Sequence, residues 1–485
     1  WESKNAISNQ GYLKLGTTSA GGYITTPAML NVKDAKTKFQ VSFKACPYVA
    51  DKSTPQTSYI YVNLIDGTTG SEKATKKVEI GGMRNIPGWG EFEVEFENAS
   101  AGDKIQFKSG GEAQSRFCLN DVRVCSPSAV MDDVVYGHVC DENGTPLSGV
   151  VVSDGFTAVQ TSSNGYYELV AHKDCWYIYY TVPADCKVET NSYGQPCFFA
   201  RYDRKNTVYN FTLTKLPGGK ESAFTLFCLA DPQCKDDRET DNNGRRHGDR
   251  FANESIPAIK AHAATKSAPC YGTTLGDVVY SEGSRNNEAF MYDMRDKMHV
   301  DKSGMPIFQV MGNHDYTYFH TNKPINPDAT SSTYNLKIQR AFETVFGPIN
   351  YSWDRGAAHI VCMRNMQWSS NSDAGKYTSP TFTSEQIAWL KQDLSFVPKD
   401  KLVIFCVHVP LINSSKAGVQ DVISLLKQYK EAHIMSGHTH YMRNEPTKSS
   451  NVYEHVHAAV SGQWWWSNMN GDGCPNGYGV YDIEG

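Results

Sequence analysis

Residues 306–315 read Pro-Ile-Phe-Gln-Val-Met-Gly-Asn-His-Asp, an apolar run that ends at a glycine followed by three polar residues. A short apolar run closed by glycine predicts a strand buried inside a sheet. The polar residues Asn313, His314 and Asp315 then fall just beyond the end of that strand. This one stretch therefore predicts both an interior sheet and a group of reactive side chains at its edge.

The same pattern recurs at four other places between residues 222 and 446. The polar residues that end these runs are Asp231-Pro232-Gln233, Gly276-Asp277, His408 and Gly437-His438-Thr439-His440. The helix-like segments that alternate with the runs are 285–299, 333–346, 384–395 and 418–430. This alternation predicts an α/β domain, and open α/β sheets bind ligands beyond the carboxyl ends of their strands. We therefore expect the polar side chains to gather at one sheet edge.

The side chains at these strand ends are carboxylates, amides and imidazoles, with no cysteine among them. Such ligands suit divalent ions such as Zn²⁺, Mn²⁺ or Fe, whereas purely structural zinc sites usually use thiolates. A single histidine is more often an ordinary surface or core residue than a metal ligand. An ordered set of five strand-end blocks is different, and it predicts a reactive metal centre.

In type and order, the five blocks resemble those of the calcineurin-like metallophosphoesterases, and the resemblance covers residues 222–446. Its most specific parts are Gly312-Asn313-His314-Asp315 and Gly437-His438-Thr439-His440. The resemblance implies a central β-sandwich flanked by helices, which hydrolyses phosphate esters with two divalent metal ions: Mn, Zn, Fe or Mg. The flanking segments are similar to the modules that surround this domain in bacterial members of the family.

The resemblance also implies a role for each residue. The implied metal ligands are Asp277 as the bridge between two ions, Asp231 and His440 on the first ion, and Asn313, His408 and His438 on the second. A metal-bound hydroxide would attack phosphorus, and His314 would protonate the leaving oxygen. The catalytic residues implied in this way are His314, Asp277 and Asn313.

Gln233 is the clearest departure from the family pattern, because the family's commonest first block is Asp-x-His and Gln233 stands in the place of that histidine. An amide oxygen is a poorer ligand for transition metals than imidazole. We include Gln233 among the expected metal ligands. The alternatives are that the first site binds metal more weakly, prefers a harder ion, or takes a water in place of this side chain.

The remaining chain divides into β-rich segments. Alternating apolar and polar residues with Gly, Pro and Asn punctuation predict a jelly-roll-like β-sandwich at residues 1–127 and a small immunoglobulin-like β-sandwich at 134–216. The phosphoesterase domain is expected at 222–446. Residues 447–485 are expected to be part of a C-terminal β-rich module. The fold class is therefore an α/β catalytic domain preceded by two all-β sandwich modules.

Composition excludes some classes of protein. With 485 residues and a formal net charge of -5, the chain lacks the basic surface that a nucleic-acid binder needs. We find no apolar run long enough to span a membrane, and we expect that any targeting peptide has been removed or was never present. The β-rich accessory segments and the family resemblance predict a periplasmic, cell-surface or secreted protein of bacterial origin.

These observations predict hydrolysis of a small phosphorylated substrate, with phosphomonoesters favoured. A phosphodiesterase or a nucleotide-processing hydrolase could use the same site. From another class, a surface-binding protein that has lost catalysis is the alternative, and Gln233 would be its first sign of decay. A metal-dependent nuclease would need a basic track for its polymer. The N-terminal sandwich is expected to contact a glycan or another surface.

Overall fold

The computed structural model of the protein shows two compact units, one formed mainly by residues 1–130 and the other mainly by residues 131–485. The structure describes residues 1–9, 12–29, 37–48, 59–80, 89–111, 113, 115–125, 134–234, 247–280, 287–315, 331–368, 377–446, 451–462 and 475–484. Among these residues, no helix has both the length and the apolar character needed to span a membrane.

The first unit is a sandwich of two antiparallel sheets. Its strands are β1 (Glu2–Lys4), β2 (Ala6–Asn9), β3 (Tyr12–Leu15), β4 (Tyr23–Thr25), β5 (Thr37–Pro47), β6 (Tyr59–Ile65), β7 (Glu72–Glu79), β8 (Gly90–Ala99), β9 (Lys104–Ser109) and β10 (Phe117–Cys125). One sheet has the order β1-β4-β9-β6-β7 and the other β2-β3-β10-β5-β8. Alternate residues such as Phe39, Val41 and Phe43 are buried between the sheets, as period-two patterning predicts.

The second unit begins with a small β module. Its strands are β11 (Val134–Asp141), β12 (Val151–Ser153), β13 (Ala158–Gln160), β14 (Tyr166–Val170), β15 (Tyr177–Tyr180), β16 (Phe199–Arg201) and β17 (Phe211–Leu213). They form a three-stranded sheet, β14-β11-β17, and a four-stranded sheet, β13-β12-β15-β16. Both N-terminal segments are thus β-sandwich modules, as predicted.

Strands and helices alternate after this module. The elements are β18 (Ala223–Leu229), α1 (His247–Arg250), a π-helical turn (Phe251–Ser255), α2 (Ile256–Ala263), β19 (Cys270–Thr274), α3 (Asn287–Lys297), α4 (Val300–Ser303), β20 (Ile307–Phe308), α5 (Ser331–Phe346), β21 (Asn350–Arg355), β22 (Ala358–Met363), β23 (Gln367–Trp368), β24 (Tyr377–Thr378), α6 (Ser384–Ser395), β25 (Leu402–Cys406), α7 (Ala417–Leu426), β26 (Glu431–Ser436), β27 (Arg443–Pro446), β28 (Val452–Val456) and β29 (Gly479–Glu484). The predicted helical segments correspond to α3, α5, α6 and α7.

Two sheets carry this part of the chain. One has the order β20-β19-β18-β29 and the other β21-β22-β25-β26-β28-β27. Strands β18, β19 and β20 are parallel to one another, and so are β22, β25, β26 and β28. Parallel strands bring their carboxyl ends to the same edge of a sheet, so the loops that follow β18, β19 and β20 lie together, as do those that follow β25 and β26.

The strands of the predicted C-terminal segment lie in these same two sheets. Strand β28 pairs in parallel with β26, and β29 pairs along its length with β18 in antiparallel register, with Phe224 opposite Ile483. The domain bounds 1–127, 134–216, 222–446 and 447–485 stay predictions.

Local sequence explains the helices that cover the sheets. Helix α6 begins at a capping box in which the Thr383 side chain accepts from the Gln386 backbone N–H and the Gln386 side chain accepts from the Thr383 N–H. Helix α7 buries Val419, Val422 and Leu426, which are spaced to form one apolar stripe. This stripe packs into a core cluster with residues of β25 and β26.

The small β module packs against the sheets through a region that we call the joint. It is centred on Trp353 of β21, which is fully buried and stacks on Phe308 with ring centroids 4.1 Å apart. Tyr177 and Tyr179 of β15 donate their hydroxyl hydrogens to the backbone oxygens of Glu343 and Asn350, each at 2.6 Å. One apolar core cluster runs from the module through the joint into both sheets.

Candidate metal centre

The predicted site residues all follow strand ends. Asp231 comes two residues after β18, Asp277 three after β19, and His408 two after β25, while His438 and His440 follow β26. Asn313 and His314 lie in the loop beyond β20. The backbone therefore delivers these side chains to the edges of two sheets, whereas the sequence pattern had predicted a single sheet edge.

The backbone at these positions is strained. Asp231, Gln233, Asp277, His438 and His440 all have a positive φ, between 41° and 69°. A left-handed conformation costs a residue with a side chain roughly 1 to 3 kcal/mol, and it persists where the surrounding structure enforces it. Five such residues in one cluster point to a site whose geometry is held for function rather than for stability.

Glycines allow the ligand loops to approach one another. A Cβ on Gly312 would lie 2.2 Å from Oδ1 of Asp277, and a Cβ on Gly437 would lie 2.4 Å from Oδ2 of Asp231. A Cβ on Gly276 would lie 2.6 Å from Nδ1 of His408. The glycine of each motif is thus required because a ligand side chain occupies the space that its Cβ would fill.

Three other predicted ligands converge around Nε2 of His408. This atom lies 2.8 Å from Oδ1 of Asn313, 3.2 Å from Oδ2 of Asp277 and 3.2 Å from Nδ1 of His438. Nδ1 of His408 lies 2.8 Å from the backbone oxygen of Leu275, which orients the imidazole. Metal-binding histidines are commonly held by such a contact at their other ring nitrogen.

A second group forms beside the first. Nε2 of His440 lies 3.3 Å from Oδ1 of Asp231. Oδ2 of Asp231 accepts the backbone N–H of His438 at 2.8 Å, whereas the fully buried Oδ1 accepts no hydrogen bond from the described residues. Because buried carboxylate oxygens are normally satisfied, this atom is suited to a cation.

Asp277 belongs to the group around His408 and is almost completely buried. Its Oδ1 accepts the backbone N–H of His314 at 2.8 Å, and its Oδ2 accepts an N–H of the Gln233 side chain at 2.7 Å. The backbone N–H of Gln233 also donates to the backbone oxygen of Asp277 at 2.7 Å. Gln233 is therefore part of the site and holds the carboxylate of Asp277 in place.

His314 lies at the exposed side of the site. Its side chain is 26% exposed, and its Nε2 is 3.9 Å from Oδ2 of Asp277. The ring of Tyr280 stacks on the His314 imidazole with centroids 5.0 Å apart. This position leaves the imidazole open to a ligand from solvent.

Besides Tyr280, two residues of the site have no role that the sequence patterns indicate. Asp315 is fully buried and accepts the backbone N–H groups of Gly312 and Val279, so it fixes the loop that carries Asn313. Its place inside the Gly-Asn-His-Asp block was the available signal. The ring of Tyr377 lies 6.4 Å from that of His438. Nothing in its local sequence distinguishes it.

Burial and mutual charge shift the pKa values of the site in opposite directions. Burial disfavours the charged form of Asp277, but the charges of His408 and His314 outweigh it and lower the pKa of Asp277. Burial also opposes protonation of His408, yet Asp277 raises the pKa of His408 to about 9. Burial and the neighbouring His408 lower the pKa of His438 to about 4. This concentration of perturbed groups in one place is typical of functional sites.

The donor set fits divalent cations. Within the described part of the chain, ligand atoms of Asp277, His408 and His438 all lie within 4.8 Å of one another. Asn313 adds an amide oxygen beside His408, and the unsatisfied oxygen of Asp231 faces His440. Oxygen and imidazole nitrogen donors arranged around a shared carboxylate are suited to Zn²⁺, Mn²⁺ or Fe.

Comparison with protein families gives two matches. Residues 133–216 match the family model of the N terminal of calcineurin-like phosphoesterase, and residues 271–442 match that of calcineurin-like phosphoesterase. No curated protein matches the chain.

Solved structures show remote likenesses. A phosphopantetheinyl hydrolase from Mycobacterium tuberculosis is 12% identical over 51% of this chain and 95% of its own, with a TM-score of 0.26. A C-terminal CBM6 of the Zobellia galactanivorans protein LamC is 12% identical over 26% of this chain and 91% of its own, with a TM-score of 0.18. A carbohydrate-binding module of Cellvibrio mixtus lichenase 5A is 11% identical over 26% of this chain and 89% of its own, with a TM-score of 0.19. Structural similarities this weak give no information about function.

Proposed function

Because the chain carries a calcineurin-like phosphoesterase domain preceded by that family's N-terminal region, we propose that it hydrolyses phosphate esters with two divalent metal ions. The observation that carries the proposal is the convergence of Asp277, Asn313, His408 and His438 beside the Asp231–His440 pair. We further propose that the substrate is a small phosphomonoester.

The residues divide into two sets of ligands, as the resemblance implies. Asp231 and His440, with the amide oxygen of Gln233, would hold the first ion, and Asn313, His408 and His438 the second. Asp277 contacts His408 of the second set, and the resemblance implies that its carboxylate would bridge the two ions. When bound, such a pair of ions neutralises the phosphoryl oxygens and lowers the pKa of an attacking water.

The protein's own groups prepare this site in three ways. The strained backbone and the motif glycines hold the ligand side chains close together before any ligand arrives. Gln233 donates to Asp277 through its amide nitrogen, which fixes the carboxylate that both sets share. Leu275 orients the His408 imidazole. Each of these contacts reduces the reorganisation that the reaction requires.

His314 is the proposed proton donor. Its imidazole lies at the solvent side of the site, 3.9 Å from Asp277, where the oxygen of a departing alcohol would lie within its reach. The contact of its ring with Tyr280 restricts the rotation of the imidazole. Protonation of the leaving oxygen matters most when the leaving group is a poor one, such as an alkyl alcohol.

The leaving group therefore provides the test. With Mn²⁺, Zn²⁺ or Mg²⁺ added, the wild type should hydrolyse both an aryl and an alkyl phosphomonoester. His314→Gln should lose activity by about 10² to 10⁴ towards the alkyl ester, the usual range for removal of a general acid. The loss towards the aryl ester, whose leaving group needs little protonation, should be much smaller.

Two controls complete this experiment. Exposed His138 of the small β module, replaced as His138→Gln, should leave both activities unchanged. An aryl phosphodiester assayed in parallel separates monoesterase from diesterase activity. Equal losses on both monoesters would overturn the role of His314. No turnover of any ester by wild-type protein with two bound ions would overturn the enzymatic proposal and favour a binding protein.

Location and the contact of the first sandwich with a glycan or surface remain predictions. We propose a periplasmic, cell-surface or secreted protein. The observations behind this proposal are the two β-sandwich modules that precede the phosphoesterase domain.

A further inference from the structure

A cavity lies at the rim of the joint, between the small β module and helices α5 and α6. It has a volume of about 240 Å³. Phe156, His172 and Lys173 line it from the β module, and Gln339, Arg364 and Gln367 line it from the opposite side. None of the proposed metal ligands lines this cavity, so it is separate from the metal centre.

Arg364 is the unusual residue of this cavity. It follows β22 and is 4% exposed, yet among the described residues its guanidinium makes one weak hydrogen bond, from Nη2 to Oε1 of Gln367 at 3.4 Å. Its Nε and Nη1 find no acceptor there. Burial lowers the pKa of Arg364 to about 10. An arginine of this kind normally has a carboxylate or phosphate partner when it is buried.

The carboxylates around the cavity do not supply that partner. Glu343 pairs with Nη1 of Arg340 at 2.7 Å. Oδ2 of Asp174 lies between His172 and Lys173, at 3.9 and 4.0 Å. Glu385 is on the exposed rim and accepts from the hydroxyl of Ser384 at 3.2 Å. Each of these carboxylates has another partner, and none of the described residues forms an ion pair with Arg364, although the charge of Glu343 partly offsets the effect of burial on the pKa of Arg364.

The amides around Arg364 are fixed by the fold. Gln386 donates to the backbone oxygen of Arg364 at 2.7 Å and to Oδ1 of Asn350 at 2.9 Å. Asn335 binds the backbone of Trp368 through both its side-chain atoms. The wall of the cavity is therefore rigid, and a ligand would meet a preformed cationic site.

We propose that this cavity binds a small oxyanion through Arg364, with Lys173 and His172 at its mouth. The planar guanidinium can donate two parallel hydrogen bonds to a carboxylate, a sulfate or a phosphate. Lys173 is exposed, with its side chain 75% accessible, and it attracts the anion towards the opening. The oxyanion supplies the direct ion pair that Arg364 does not form with the described residues.

Sulfate binding by the metal-free protein tests this proposal. With EDTA present and ionic strength held constant with chloride, sulfate should bind the wild type in calorimetry and raise its melting temperature. Arg364→Gln should weaken sulfate binding by about tenfold or more, because a charge-assisted bidentate contact is lost. Acetate and phosphate, titrated in the same way, distinguish a carboxylate ligand from a tetrahedral one.

Two further variants keep the test decisive if Arg364→Gln does not fold. Arg364→Lys keeps the charge but loses the paired geometry, and it should weaken binding. Lys173→Gln changes an exposed residue and should also weaken binding, by a smaller factor. Arg295→Gln removes a buried arginine that is already paired with Asp296, and it should leave sulfate binding unchanged. Wild-type protein that binds no oxyanion, or variants of Arg364 that bind sulfate as tightly as wild type, would overturn the proposal.

Discussion

The metal centre and the joint both bury polar groups, but they differ in how completely those groups are hydrogen-bonded. At the joint, hydrogen bonds run from Thr181 through Ser352 to Asp393 and from there to His359 and Asp354. Each hydrogen bond in this series has a length between 2.7 and 2.9 Å. Such a satisfied network rigidifies the fold.

At the metal centre the same kinds of group converge, and not all of them are satisfied by hydrogen bonds. Oδ1 of Asp231 accepts no hydrogen bond from the described residues, and Nε2 of His408 faces three donor or acceptor atoms at once. Its residues also carry the strained backbone. From this difference we infer that the joint contributes stability, and that part of this stability offsets the strain at the candidate metal centre.

Removal of the central side chain of the joint should have the largest effect. Trp353→Ala deletes a fully buried ring that stacks on Phe308, and we expect a loss of about 3 to 5 kcal/mol in the free energy of unfolding. Urea denaturation measures this loss. The activity of the molecules that remain folded should be close to that of wild type.

The exposed Trp1, replaced as Trp1→Ala, is the control for that substitution, since this residue is 64% exposed. It should change stability by less than about 0.5 kcal/mol. A Trp353→Ala protein that folds but has lost its activity would show that the joint and the metal centre are not separable.

A smaller effect is expected from the charge of His359. Burial opposes protonation of this ring, but Asp393 and Asp354 raise the pKa of His359 to about 9, from an ordinary value of 6.5. The folded state therefore binds the proton more tightly than the unfolded state. Its contribution to stability is complete below pH 6.5 and is lost as the pH rises through about 9.

This contribution should amount to about 3 kcal/mol at most. The free energy of unfolding of the wild type, measured in urea, should fall between pH 6.5 and pH 9. His359→Gln should be less stable than wild type at pH 6.5, and the difference should shrink as the pH approaches 9. A constant difference between the two proteins over that range would contradict the assignment of the proton to His359.

The smallest effect concerns a single methyl group at the metal centre. Gly312→Ala would place a Cβ 2.0 Å from the backbone nitrogen of Asp277 and 2.2 Å from its Oδ1, so the shared carboxylate must move. We expect metal affinity to fall by about 10- to 100-fold, as for other groups that orient a ligand. Metal titration followed by calorimetry measures this change.

Gly218→Ala is the matched control, because no atom lies within 4 Å of the Cβ that it would add. It should bind metal like the wild type. If Gly312→Ala also binds metal like the wild type, the backbone around Asp277 is more adaptable than its close contacts indicate.

Much of the site could be predicted from the sequence. The strand-end blocks lie where the apolar runs indicated, because a buried strand followed by glycine and polar residues has few alternative structures. Asp315, Tyr280 and Tyr377 could not be assigned in the same way. Tyr377 reaches His438 through a short strand pair, β23 with β24, and no local periodicity specifies such a contact.

Some features of the sheets also could not be predicted from local sequence patterns. The residues of β29 pair with β18 from the far end of the chain, with Asp482 opposite Thr225. Alternating residues predict a strand, but they do not say which sheet edge it will join. That choice depends on which edge the rest of the fold leaves open.

Hydrophobic periodicity and side-chain chemistry were enough to indicate the types of candidate ligand, their order and the strands that carry them. The tertiary fold brings Asp231 and His438, 207 residues apart, into a hydrogen bond. It also decided that Gln233 turns its amide towards Asp277 and that Arg364 is buried beside a cavity. These outcomes depend on packing between distant segments, and no short stretch of chain contains that information.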